Sequence, residues 1–125
     1  ASRFPEAFLK RSQANVEKAF KAIEDGWLSH SRYLIGETLT IADMAAYVEI
    51  GQLQSIFTNI YDFEPFPNIS TWLKDMQKVD HHDVIHVALY ELGDISKEAP
   101  AMETIISANK KGVVAIHEEL AKINN

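Results

Sequence analysis

The sequence predicts an all-α chain of about five helices packed around a central apolar one. Apolar residues recur at spacings of three and four along most of its length, the period of an amphipathic helix. No segment shows sustained apolar–polar alternation between turn signals, as a half-buried strand would. Helix-start chemistry appears repeatedly, at Thr40 with Asp43, at Pro67, and at Asp80 with Asp83.

The first helix is predicted from Pro5 to about Ser29. Phe8, Leu9, Ser12, Val16, Phe20, Ile23 and Trp27 fall on one stripe, and Pro5 suits the first turn. The next helix begins at Thr40, whose hydroxyl and backbone can exchange hydrogen bonds with Asp43 in a capping box, while Leu39 and Met44 hold the two positions of a hydrophobic staple. From there to about Phe57 the strongly polar residues are only Asp43, Glu49, Gln52 and Gln54, a pattern that predicts a central helix buried on nearly every side.

Asn59 to Phe66 reads as an aromatic loop. Pro67 then opens a helix carrying Ile69, Trp72, Leu73 and Met76. A further helix is expected to be capped by Asp80, with Asp83 in the third position, a stripe of Val84, Val87, Ala88 and Leu92, and a left-handed stop at Gly93. The last helix is predicted from Pro100 to about Ile123 with Met102, Ile105, Ile106, Val113, Ile116 and Leu120 inward. Gly112 should weaken its middle by roughly 1 kcal/mol relative to Ala.

A length of 125 residues with 46% hydrophobic and 24% charged residues suits one globular domain. A net charge of -6 argues against a phosphate-backbone footprint, and Lys110-Lys111 is too small a cluster to reverse it. The absence of cysteine rules out disulfides and a thiol nucleophile and fits a reducing, cytoplasmic compartment. No apolar run reaches the length of a membrane span, and no membrane partner is expected. The start Ala1-Ser2-Arg3 lacks the apolar core of a signal peptide, and its want of an initiator Met suggests processing or an excised fragment.

Candidate chemistry is sparse. His82 and His86, four apart, could face one way as in the zinc motif HExxH, but the acid between them is Asp83 and no third ligand stands at a recognisable spacing, so no metal is expected. Glu49, within the apolar helix, is expected at an exposed edge rather than as a shifted acid. Ser29, Ser31 and His30 near Asp25 have the residue types of a hydrolase triad without a nucleophile elbow. Tyr61, Phe63 and Phe66 are better explained by packing under a loop than by an apolar ligand pocket.

The run Tyr33-Leu34-Ile35-Gly36-Glu37-Thr38-Leu39-Thr40-Ile41-Ala42-Asp43, leading into an Ala-rich helix, resembles the start of the central helix in the C-terminal domain of cytosolic glutathione transferases. Gln52-Leu53, Phe66-Pro67-Asn68-Ile69 with Trp72, and a theta-like tail from His82 to Asp94 extend the resemblance. It covers residues from about 5 to 95 and the last helix loosely.

That resemblance implies that the parent protein uses glutathione as co-substrate and activates its thiol on a thioredoxin-like N-terminal half, which this sequence lacks. No catalytic or cofactor-binding residue therefore carries over. Thr40 and Asp43 carry over as the capping pair, with Leu39 and Met44 as the staple. The last helix, including Ile105, Ile106 and Asn109, lies in the region bordering the apolar co-substrate site. The implied domain would lack its first helix, and the implied partners are the thioredoxin-like half or a second subunit, as in a homo-oligomer. The alternative is a transferase-like interaction module of a translation or synthetase assembly, which the residues upstream of Ala1 would distinguish.

Overall fold

The computed structural model describes residues 4–125. Among them are six α-helices and no extended strand: α1 (Glu6–Asp25), α2 (Ile41–Ile50), α3 (Pro67–Met76), α4 (His82–Ile85), α5 (Val87–Leu92) and α6 (Met102–Ile123). Two single turns of tighter helix, Trp27–Ser29 and Gly51–Leu53, follow α1 and α2.

Two bodies build the molecule. In the first, α1 and α2 pack against α3. Phe20, Tyr47, Phe57, Phe63, Ile69, Trp72, Leu73 and Met76 fill its core, with Ile69 and Trp72 almost wholly enclosed. In the second, α4 and α5 pack on α6. A seam joins them: Tyr47 and Phe57 lie against His82 and His86, the Ile95 N–H donates to the Thr58 carbonyl at 3.0 Å, and Asn59 Nδ2 donates to Asp94 at 2.9 Å.

Several elements differ from the sequence expectation, each for a local reason. The first helix stops at Asp25, not near Ser29, because Gly26 leaves helical geometry (φ -95°, ψ -87°) and the chain tightens through Trp27–Ser29. The central helix is shorter than expected, since after Gly51–Leu53 the backbone at Gln54 turns extended. It is also not buried all round. Asp43 and Tyr47 point inward, while Ile41 is 86% and Val48 62% exposed.

Beyond α3 the expected single helix is two. His86, at φ -104° and ψ 13°, breaks the run between α4 and α5. Asp80 does not cap it either. The residue before α4 is His81, held at φ 66°, and the Asp83 carboxylate accepts from Tyr90 Oη instead of closing a cap. Gly93 ends α5 with φ 70° but ψ -163°, so it is a positive-φ stop outside the left-handed helical region.

The apolar stripe of the last helix is only partly inward, with Ile105 and Ile116 half-buried. Met102, Ile106, Val113 and Leu120 are exposed, and the residues buried in α6 are Ala108 and Gly112. A Cβ on Gly112 would lie 2.9 Å from the Ala88 Cβ. Gly112 is thus the point of close approach between α5 and α6 rather than a mere weakness in the helix.

Candidate functional site

The Tyr33–Asp43 segment folds as a tight loop delivering the chain into α2. The Tyr33 N–H donates to the Gly36 carbonyl at 3.0 Å, and Gly36 takes φ 90°, which a side chain would strain. Thr40 is extended and forms a capping box with Asp43. Asp43 does more than cap. Fully buried, its carboxylate accepts from the Leu34 N–H at 2.9 Å, the Thr40 N–H at 2.9 Å, the Thr40 hydroxyl at 3.3 Å and the Trp72 indole N–H at 3.0 Å. Burial pushes its pKa up, but these donors outweigh burial and hold it below the ordinary carboxylate value. Leu39 packs at the edge of the core, whereas Met44 is 41% exposed.

Glu24 plays a matching role that the sequence did not reveal. Buried on α1, it takes the first N–H groups of α3 on both its oxygens, Asn68 at 2.8 Å and Ile69 at 2.8 Å, while Asn68 Nδ2 donates to the Glu24 carbonyl at 3.2 Å. A carboxylate at the N-terminus of a helix satisfies orphan donors and suits the dipole. The available signal was a charged residue one turn after Phe20, on the buried side.

At the seam, hydrogen bonds run in one direction. Gln77 Nε2 donates to Gln54 Oε1 at 2.9 Å, Gln54 Nε2 donates to Tyr47 Oη at 3.1 Å, and Tyr47 Oη lies 2.7 Å from His82 Nε2. His82 Nδ1 lies 2.9 Å from Asp83 Oδ1, and His86 Nδ1 lies 2.6 Å from the His82 carbonyl oxygen. Both nitrogens of His82 are therefore occupied within the chain. Among the described residues no group of three or more His, Asp or Glu side chains is gathered as a metal site would need.

The remaining candidates are scattered. Glu49 is exposed. The Ser29 hydroxyl donates to the Gly26 carbonyl, and Asp25 pairs with Lys21. Tyr61, Phe63 and Phe66 converge on Phe20, with ring centroids 4.8, 5.2 and 6.1 Å away, so the aromatic loop closes over α1. On α6, Ile105 is half-buried and Ile106 and Asn109 are exposed.

Apolar surface gathers on α1 and α2. A groove of about 390 Å³ is lined by Ala19, Ala22, Ile23 and Trp27, and a second of about 410 Å³ by Trp27, Leu34, Ile35, Ala42 and Ala46. Trp27 belongs to both and is 64% exposed. A separate cleft of about 370 Å³ between α3 and the loop before it has a mixed lining that includes Gln54, Ser70, Lys74 and Gln77. No described helix is long and apolar enough to cross a membrane.

Comparison with known proteins agrees with this architecture in one respect. No curated protein and no solved structure matches the chain. A family model does: that of the glutathione S-transferase C-terminal domain matches residues 2–78, from α1 through the end of α3, the whole body built on Asp43 and Glu24. The match stops before α4, so the tail His82 to Asp94 lies outside it. On a match spanning more than half its length, the chain belongs to the glutathione S-transferase C-terminal domain family.

Proposed function

We propose that this chain is the co-substrate-side domain of a glutathione transferase and that it cannot conjugate a thiol alone. The observation that carries the reading is the family match over α1 to α3. Activation of a thiol needs a positioned group that depresses its pKa, and the polar side chains gathered here are engaged in holding the fold: Asp43, Glu24 and His82 spend their capacity on the chain's own donors and acceptors. Glutathione is then a co-substrate of the parent protein, bound by a thioredoxin-like half. A theta-like subclass and a cytoplasmic setting go with this reading.

The same proposal covers the apolar grooves. A solvent-facing run of Trp27, Ile35, Ile41 and Val48, each more than 60% exposed, is a surface that a further helix, a thioredoxin-like half or a second copy would cover. On this account a helix that packs against α1 and α2 in the complete domain is absent from the described structure, and Ile105, Ile106 and Asn109 border the co-substrate. The alternative, a transferase-like interaction module of a translation or synthetase assembly, draws on the same exposed face.

Calorimetry with glutathione, beside a turnover assay with a chloronitrobenzene substrate, tests the first reading. The isolated chain should give no saturable heat and no conjugate. A micromolar Kd or measurable turnover would place the thiol site on this chain and refute the proposal.

A further inference from the structure

The seam between the two bodies is made of titratable rings. His82 and His86 stand 4.4 Å apart, centroid to centroid, with Phe57 stacked on both at 5.9 and 5.2 Å and Tyr47 edge-on to both at 5.5 Å. Only one arrangement of protons satisfies this box. His82 Nδ1–H donates to Asp83, so Nε2 is left as the acceptor for the Tyr47 hydroxyl, whose oxygen already accepts from Gln54. A second proton on His82 would leave the Tyr47 hydroxyl hydrogen without an acceptor in a site where Tyr47 is 3% and His82 4% exposed. His86 donates Nδ1–H to the His82 carbonyl, and a further proton would set a charge in the half-buried seam, 4.4 Å from the His82 ring.

The geometry points to a pH-sensitive latch: the neutral imidazoles of His82 and His86, each stacked on Phe57 and edge-on to Tyr47, hold the α4–α5 elbow on α2 and the segment after it, and protonation of His86 releases it. The elbow has irregular backbone at both its joints. It begins at His81, a non-glycine residue at φ 66°, and breaks at His86, where the backbone leaves helical geometry.

The titratable groups around His86 are His82 and Asp83 of α4, Tyr47 of α2 and Tyr90 of α5. From α6, Glu119 lies 3.2 Å from His81 Nδ1, and Lys111 is paired with Glu91 of α5. Burial holds the His86 pKa below the ordinary imidazole value of 6.5. The bond to the His82 carbonyl and the Asp83 charge oppose the shift without reversing it. The closed form therefore prefers neutral His86. Its hold is complete above the ordinary value and is lost as pH falls from there towards the lowered one. Acidification thus weakens the elbow's attachment to α2.

Hydrogen exchange on the whole chain at about pH 7.5 and about pH 5.5, corrected for intrinsic rates, reads the latch directly. The amides of Ile85, Leu89, Tyr90 and Gly93, bonded to the carbonyls of His81, His86, His86 and Leu89, should lose protection at the lower pH while those of α3 keep theirs. His86→Phe, which keeps the stack and cannot titrate, should abolish the loss. Protection in the elbow that ignores pH, loss shared equally by α3, or loss that persists in His86→Phe would overturn the latch. Should His86→Phe fail to fold, the parent's imidazole resonances decide: titration of His86 at or above the ordinary value overturns the proposal, and titration below it with coupled movement of the Tyr47 ring signals supports it.

Discussion

Trp72 reaches from α3 to donate its indole N–H to Asp43 Oδ1 at 3.0 Å, the same oxygen that takes the Leu34 N–H at 2.9 Å. One carboxylate oxygen therefore fixes the loop before α2 and the packing of α3, while the other closes the start of α2 through Thr40. Asp43→Ala would leave three N–H donors without an acceptor, the Trp72 indole buried and those of Leu34 and Thr40 partly so. At about 1 to 3 kcal/mol for each orphaned group, partly recovered by relaxation, the expected loss is about 3 kcal/mol. Asp43→Asn should also destabilise, since its amide nitrogen would confront one of those donors. Chemical denaturation of both variants beside the parent checks this, and a loss under about 0.5 kcal/mol would mean that Asp43 is not the hub.

Acid stability follows from the same group. Asp43, raised by burial but lowered further by its four donors, and Asp75, lowered chiefly by its hydrogen bond from Arg32, both sit below their ordinary value of 3.8. A depressed carboxylate contributes stability that is present above the ordinary value and lost as pH falls through the lowered one. The parent should therefore lose stability steeply below about pH 4, and Asp43→Asn should show a shallower slope over that range. Equal slopes would remove Asp43 from the acid limb.

Glu24→Ala should lower stability by about 2 kcal/mol, through two orphaned N–H groups at the head of α3. Glu24→Gln keeps one acceptor oxygen and should recover part of it. Thermal denaturation of the two variants measures the difference, and equal midpoints for Glu24→Ala and the parent would contradict the capping role.

For Gly112 the expected sign is opposite to that of an exposed helix glycine. Adding a methyl would gain about 1 kcal/mol of helix propensity, but it meets Ala88 at 2.9 Å. Overpacking at a close crossing costs about 1 to 3 kcal/mol, so Gly112→Ala should be net destabilising. Ala88→Gly in the same chain should restore part of the loss. A double-mutant cycle without coupling would show that α5 and α6 do not meet there.

Some of this was legible in the sequence and some could not be. α3 follows from Pro67 and its four inward residues, because a proline start and an apolar stripe are local signals. Thr40 and Asp43 are three apart and could be paired on paper; the indole of Trp72, 29 positions away, could not. Glu24 caps a helix 44 positions distant for the same reason. The break at His86 was hidden because the stripe Val84, Val87, Ala88 reads through it, and the contact of His82 with Tyr47, 35 positions away, leaves no local signal. Periodicity also says which residues share a face and not what covers it. Hence Ile41 and Val48 on α2, and Met102 and Val113 on α6, fit an inward face by spacing and lie exposed.

The proposal's central claim is that the outer face of α1 and α2 is covered by a further helix, a thioredoxin-like half or a second copy, and sedimentation velocity at micromolar concentration tests it most directly. With Trp27 at 64% and Ile41 at 86% exposure on that face, the chain should self-associate or bind a hydrophobic dye, and Trp27→Glu with Val48→Glu should abolish both. A monodisperse monomer that binds no dye would contradict the account.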